Sequence, residues 1–436
     1  MMMDWLSHFV IALGVLLALL LGGMWIPFAI GISALLSIYL FEGWFGLRAL
    51  GLVTWGSVNS FTLTAIPLFI LMADILLQSG VSQRFYEGLT KLVRGLPGGL
   101  LQTNIAGCAL FAAISGSSVA TAAAIGTVAL PQLDARGYDR RMASGSLCAG
   151  GTLGILIPPS IPLIIYGTFT ETSIARLFMA GFIPGFLLAL IFMVFVGVVA
   201  ILRPSVAPRD STIVPFAMKL RALLDLVPFL LLMIAVLGGI YFGFATPTEA
   251  GAIGASLAIV VSLIWGNLTI ARFRAALTNT VTISSSLLLI ILTAFIFAYA
   301  VENVGVSENI AKLLVESGLS RYAFLLAIIV MYIALGCVVD SIGMIVLTVP
   351  LLYPAVVGFG FDGIWFGIML VLMVELGQVT PPFGINLFVV QGITGWPLRD
   401  IIWGSAPYWF IMIAYAALLT VFPEIVLWLP AQMFDR

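Results

Sequence analysis

Apolar runs interrupted by brief polar punctuation recur from one end of this chain to the other: Phe9 to Leu21, Phe182 to Ile201, Leu226 to Ile240, Ala323 to Leu335 and Ile401 to Val421 are examples. A helix crossing a bilayer needs ~20 mostly apolar residues. The pattern predicts spans near residues 6–23, 25–42, 53–78, 145–169, 178–201, 226–245, 248–266, 279–301, 364–391 and 401–425. Two further segments, 102–130 and 323–353, are long but carry small or polar residues near their middles. They read as re-entrant helical hairpins that return to the side they entered, because irregular backbone at membrane depth is tolerated only inside protein. Residues 81–95 and 302–321 mix charge with apolar positions and read as amphipathic helices along a membrane face. The expected fold is an all-α integral membrane protein. The N-terminus, whose only charge is Asp4, lacks the basic start of a signal peptide and reads as a retained first helix.

The order of these elements repeats. Shifting the first half by 223 positions (341 − 118) places Ser118 on Ser341, Pro131 on Pro354, Gly137 on Gly360, Asp139 on Asp362, Gly154 on Gly377, and Pro158-Pro159 on Pro381-Pro382. Upstream the register drifts slightly, with Gly80-Val81-Ser82 meeting Gly305-Val306-Ser307 and Pro27 and Gly31 meeting Pro247 and Gly251. This predicts a first repeat over 1–202, a linker over 203–225 and a second repeat over 226–436.

Charge orients the repeats. In this layout Arg84, Lys91, Arg94, Arg136, Arg140, Arg141, Arg203, Arg209, Lys219, Arg221, Arg272, Arg274 and Arg399 fall on one side; Arg48, Arg176, Lys312, Arg321 and Arg436 fall on the other. The positive-inside rule makes the first side cytoplasmic and both termini external, that is, periplasmic for an inner-membrane protein. It also puts the first hairpin on the cytoplasmic side and the second on the external side, so the repeats are inverted. Inverted repeats with broken helices are the architecture of secondary transporters.

Composition narrows the function. Only 8% of the 436 residues are charged, against ~25% for a soluble domain. With a net charge of −1 and basic residues in short clusters, nucleic acid is not an expected partner. Cys108, Cys148 and Cys337 are scattered in apolar segments and read as inert thiols; His8 is the one histidine, which argues against His-based metal clusters and a Ser-His-Asp triad. There is no Gly-Lys-Ser/Thr phosphate loop for ATP hydrolysis.

Chemistry concentrates at two kinds of place. In GTLGILIPPS (151–160), Pro158 and Pro159 lack the N–H a helix needs, which frees the Gly154 and Ile155 oxygens. ELGQVTPPFGIN (375–386) repeats the device with Gly377 and Gln378 oxygens and adds Thr380 and Asn386. Main-chain oxygens freed in a membrane suit a coupling cation, which predicts two pseudo-symmetric sodium sites. The second kind is the hairpin tips, Ser115-Gly116-Ser117-Ser118 with Thr121, and Val338-Val339-Asp340-Ser341 with Gly343. An ionised Asp at mid-membrane depth costs ~2.5–3.5 kcal/mol and persists when paired or functional, so Asp340 points to sodium. The serines alone would also suit close helix packing. The expected sodium ligands are Ser115, Ser117, Ser118, Gly154, Ile155, Asp340, Ser341, Gly377, Gln378 and Thr380. The expected substrate cavity adds Thr121, Pro158, Pro159, Ser160, Pro381, Pro382 and Asn386 to Ser117, flanked by the hydroxyl-rich stretches Ser57 to Thr64 and Thr280 to Ser286. Asp74 and Glu375 could tune a site, carry a proton or bond a neighbouring helix. With no basic residue at midplane depth, an anionic solute would be held by sodium, hydroxyls and helix N-termini.

The runs ISGSSVATAAAIG (114–126), GGTLGILIPPS (150–160), AGFIPG (180–185) and GQVTPPFGINLF (377–388) resemble the signature segments of the large membrane subunit of tripartite ATP-independent periplasmic (TRAP) transporters, within the ion-transporter superfamily. The resemblance spans nearly the whole chain. It implies a scaffold domain and an elevator-type transport domain, sodium as coupling ion without any cofactor, and import of an organic acid across the bacterial inner membrane by a transporter rather than an enzyme. It also implies two partners, a four-helix small membrane subunit, expected here as a separate chain, and a periplasmic substrate-binding protein. The superfamily's Ser-Asn-Thr tips are replaced by Ser115-Gly116-Ser117 and Val339-Asp340-Ser341. The alternatives are a self-sufficient carboxylate symporter or exchanger of the same superfamily, and a membrane enzyme or passive scaffold, for which no catalytic dyad speaks.

Overall fold

The computed structural model describes residues 2–208, 215–336, 339–382 and 384–434. Arg209, Cys337, Val338, Phe383 and Arg436, which entered the readings above, lie outside them. Helices dominate, and the described residues contain no strand. Nine stretches among them are long and apolar enough to cross a membrane.

The first half begins with α1 (Met2–Leu21), α2 (Ile26–Gly46) and α3 (Leu50–Val58). The expected single span over 53–78 is divided. Ser60 is extended, a 3-10 turn covers Phe61–Thr64, and α4 runs from Ala65–Gln78. The cause is local: Pro67 falls in the first turn of α4, where no intrahelical N–H is required, so the helix starts there instead of continuing α3. Next comes α5 (Val81–Val93), which buries Val81, Phe85, Tyr86 and Leu89 at helical spacing and is amphipathic as expected. The first hairpin is α6 (Leu100–Ser115) and α7 (Ser118–Ala135), separated by Gly116 and Ser117. It is followed by α8 (Arg140–Leu156), α9 (Ile161–Thr170) and α10 (Ile174–Leu202).

The second half opens with α11 (Phe216–Met233), which continues through a π turn at Ile234–Gly238 into α12 (Gly239–Tyr241). This span starts ten residues before the expected 226 (226 − 216), because the helix-forming run Phe216 to Leu226 has no breaker; Lys219 and Arg221 ride on its first turns. A capping box formed by Thr246 and Glu249 starts α13 (Pro247–Ile264). Thr269 caps α14 (Ile270–Glu302), so this span too begins earlier than predicted. Then come α15 (Val306–Glu316), α16 (Arg321–Gly336), α17 (Ser341–Gly358), α18 (Gly363–Val379), α19 (Ile385–Thr394), α20 (Leu398–Val421) and α21 (Glu424–Phe434).

The two halves match element for element where the sequence offset is tightest. α7 and α17 start at 118 and 341, and α8 and α18 at 140 and 363. Asp139 caps α8 by accepting from the Met142 amide at 2.9 Å, and Asp362 caps α18 by accepting from Trp365 at 2.9 Å. Gly80 and Gly305 both stand left-handed ahead of the amphipathic helices α5 and α15. The halves differ between α3 and α4, whose break has no counterpart in the unbroken α14.

Two helices form the centre. Every residue from Ala143 to Leu156 in α8 and from Trp365 to Val379 in α18 is buried. α8 is rich in Gly, Ala, Ser and Cys, small residues that let α6, α7 and α20 approach its backbone closely. Since α8 and α18 each end at a double-proline break, the fold carries both breaks into its interior.

Candidate functional site

The first break runs from Leu156 to Ile161 and is buried throughout. Ile155 O, expected to be free, already accepts the Ser160 hydroxyl at 2.5 Å, and that hydroxyl also accepts from the Leu163 amide at 3.4 Å to cap α9. A carbonyl has a second lone pair, so Ile155 O keeps one acceptor position. Gly154 sits hard against the hairpin: a Cβ there would lie 2.5 Å from Ser117 O and 2.6 Å from Thr121 Oγ1. At the second break, the Thr380 hydroxyl donates to Leu376 O at 2.6 Å and the Thr380 amide to Gly377 O at 3.3 Å. Both Pro-Pro bonds are cis. This break is the more open of the two, with Thr380 and Pro381 half-buried and Pro382 exposed.

The first tip is stitched to the first break. Gly116 is left-handed at φ 62°, its O accepts the Ile161 amide at 3.3 Å, and a Cβ would stand 2.9 Å from Pro159 O. Ser115 Oγ and Thr121 Oγ1 share a hydrogen bond of 2.5 Å across the tip, and Ser117 caps α7 by accepting from Ala120 N at 3.3 Å. Ser118 reaches the other half: its hydroxyl donates to Gln378 Oε1 at 2.7 Å. At the second tip, Asp340 Oδ2 accepts the Ile342 amide at 3.1 Å and Oδ1 lies against Gly343. The structure therefore uses Asp340 to cap α17.

A cavity of about 140 Å³ brings the two tips together. Ser115, Gly116 and Ser117 line it from the first hairpin and Ser341 and Ile342 from the second; Ile155, Ile161 and Pro162 come from the first break and α9. Its remaining wall is α4 (Ile70, Ala73, Asp74) and α14 (Ile283, Leu287). Of the expected site residues, Ser115, Ser117, Ile155 and Ser341 line this space. Ser118, Thr121, Gly154 and Gln378 stand behind the first tip, and Gly377 packs on Gly336 and the Tyr332 carbonyl. Asn386 is fully buried, and its side-chain amide has no hydrogen bond among the described residues, while its main-chain O accepts from Cys148 Sγ at 3.8 Å. Ser57 to Thr64 do not line the cavity; in the matching stretch it is Ile283 that does.

Of the two acids whose role the sequence left open, Asp74 lines the cavity. Asn279 Nδ2 donates to both of its carboxylate oxygens at 2.9 Å, and the Thr280 hydroxyl donates to Oδ2 at 3.2 Å. The only signal in the sequence was an acid inside an apolar span. Glu375, in contrast, is enclosed in α18 beside the Leu156 amide and does not reach the cavity. The polar side-chain atoms lining the cavity are all oxygen: the hydroxyls of Ser115, Ser117 and Ser341 and the carboxylate of Asp74. Such a set suits a hard cation. No cluster of three His, Cys, Asp or Glu occurs among the described residues.

A family profile described as "Tripartite ATP-independent periplasmic transporter, DctM component" matches residues 13–425. The chain is 36% identical over 404 residues to the C4-dicarboxylate TRAP transporter large permease protein DctM of Pseudomonas aeruginosa, covering 92% of this chain and 93% of that one. It is 30% identical over 416 residues to the sialic acid TRAP transporter large permease protein SiaM of Vibrio cholerae, covering 95% and 96%. The YdaH transporter of Alcanivorax borkumensis superposes with a TM-score of 0.65 over 88% of this chain and 89% of that one at 14% identity, which shows a shared fold.

Proposed function

Because this chain belongs to the DctM family of TRAP transporter large permease subunits, we propose that it moves an organic acid across the inner membrane in symport with sodium ions. It does so with a small membrane subunit and a periplasmic protein that delivers the solute. The observation that carries this reading is the cavity between the two hairpin tips. Its lining includes the first-turn residues of α17, Ser341 and Ile342, and the cap of α7, Ser117, so two positive helix N-termini adjoin it. Ser115 ends α6 there, and a helix C-terminus with hydroxyls favours a cation. Among the described residues no basic side chain lines the cavity. An anion entering it is therefore compensated by sodium and the helix ends, which makes cation and anion binding interdependent.

In this reading the matched halves are inverted repeats. α6 to α9 and α16 to α19 form the transport body, which slides as an elevator against a scaffold containing α4, α13 and α14. The basic clusters around Arg84 to Arg94, Arg136 to Arg141 and Arg272 to Arg274 face the cytoplasm, and both termini face the periplasm. Relatives named for a C4-dicarboxylate and for sialic acid lie at similar identity, which supports an organic acid as substrate class, with selection among acids left to the binding protein. The test is uptake into proteoliposomes containing the chain and its small subunit, with the binding protein outside. Solute uptake is expected with external sodium and is expected to vanish when potassium replaces it; equal uptake in both salts would refute sodium coupling.

A further inference from the structure

We propose that Asp74 is a sodium ligand on the fixed wall of the cavity, additional to any ligands supplied by the hairpin tips and helix breaks; this rests on the sodium-coupled reading above. Ile70, Ala73 and Asp74 present one face of α4 to the cavity, and Ile283 and Leu287 present one face of α14. One turn before Ile283 on that α14 face is Asn279. Asn279 also lines an open vestibule with Arg274, Thr278 and Thr282. The Asp74–Asn279 pair thus forms the partition between the tip cavity and the vestibule.

The hydrogen bonds favour an ionised carboxylate. Asn279 Nδ2, which can only donate, reaches both oxygens at 2.9 Å, and the Thr280 hydroxyl adds a third contact at Oδ2. This arrangement fits the ionised form. Yet Asp74 is only 7% exposed, and among the described residues no basic side chain lines the cavity it faces. An ionised carboxylate so enclosed requires a positive partner. The polar atoms across the same small cavity are the hydroxyls of Ser115, Ser117 and Ser341, oxygen donors that complete the surroundings of a monovalent cation. Because Asp74 sits on α4 rather than on a hairpin, its cation is shared between the two bodies when they meet and is parted from one of them when they slide. Asp74 then marks the step at which sodium passes between cavity and vestibule.

The experiment is sodium activation of solute uptake in proteoliposomes of the intact transporter, compared for wild type, Asp74→Asn, Asp74→Glu and Asn279→Leu across a range of pH. Asp74→Asn is expected to raise the half-activating sodium concentration about tenfold, with uptake at saturating sodium largely kept. Asp74→Glu, which retains the charge, is expected to stay within about threefold of wild type, and Asn279→Leu, which removes two hydrogen bonds to the carboxylate but leaves its charge, is expected to raise the half-activating sodium concentration less than Asp74→Asn does. Should Asp74→Asn not assemble, Asp74→Ser carries the same expectation, since it keeps an acceptor for Asn279 without the charge. An unchanged sodium curve in the uncharged variant of a sodium-activated transporter overturns this inference alone. So does an unchanged sodium curve with a flattened pH profile, which would assign a proton to Asp74. A wild type indifferent to sodium overturns the functional reading and this inference with it.

Discussion

Adding one methyl group at Gly154 tests whether the contact between helix break and hairpin tip holds the site together. The alanine Cβ would lie 2.5 Å from Ser117 O, 2.6 Å from Thr121 Oγ1 and 2.8 Å from Ser117 C. Ordinary van der Waals contact begins near 3.4 Å, so α8 and the tip must separate by up to 0.9 Å (3.4 − 2.5). Two of the three obstructing atoms are main chain and cannot swing aside. Overpacking of this kind costs ~1–3 kcal/mol. A displacement near 1 Å also moves Ser117 and Ile155, which line the cavity, relative to each other. Gly154→Ala should therefore melt several degrees below wild type in detergent and require more sodium for half-maximal uptake. Gly14→Ala is the matched control: nothing lies within 4 Å of its new Cβ, and a helical Gly→Ala change there should be neutral or slightly stabilising. If Gly154→Ala kept both the wild-type melting temperature and the wild-type sodium curve, the close-contact reasoning would be wrong.

The bond from Ser118 to Gln378 joins residues 260 positions apart. A double-mutant cycle with Ser118→Ala and Gln378→Leu, read by unfolding, should give a coupling of ~0.5–1.5 kcal/mol, the range for a neutral hydrogen bond; additive losses would mean the bond does not form. Cys108 and Cys148 are fully buried. In a Cys337→Ser background they should resist a membrane-permeant maleimide until the protein is denatured, and rapid labelling of the folded protein would contradict the packing around α8.

What the sequence made legible was what depends on neighbours in the chain. Pro158-Pro159 and Pro381-Pro382 break helices wherever they stand, because a missing N–H is a local defect, and both breaks appear where expected. The Gly116 turn and the amphipathic α5 and α15 are local in the same sense. Asp340 carried a second legible signal, since an Asp directly before a helical run is an N-cap, and its Oδ2 accepts the Ile342 amide while Oδ1 has no hydrogen bond among the described residues. The expectation that Ile155 O stands free overlooked Ser160, five residues on, whose hydroxyl returns to it. Asp74 was opaque for a different reason. Its partners, Asn279 and Thr280, lie 205 and 206 residues away. No periodicity on α4 announces a contact that only the packing of α4 on α14 creates. The division of α3 from α4 was missed because the apolar pattern runs through it, while Pro67 governs where the helix restarts.

In the sodium-coupled reading proposed above, with Asp74 as a ligand, the length of α14 bears on how membrane voltage drives the cycle. At 33 residues it is ~50 Å long, against a hydrocarbon layer of ~30 Å. Seated symmetrically, it projects ~10 Å at each end, and Asn279, nine rises from Ile270, lies ~14 Å along, or ~4 Å into the layer. A unit charge held there by Asp74 has only about a seventh of the potential drop on its near side. Crossing the whole drop is worth ~2.3 kcal/mol per 100 mV, so the remaining passage to the vestibule releases only ~0.3 kcal/mol. Voltage then acts chiefly on the long limb of the ion's journey, and substitutions at Asp74 should alter sodium affinity while leaving the voltage sensitivity of uptake nearly intact.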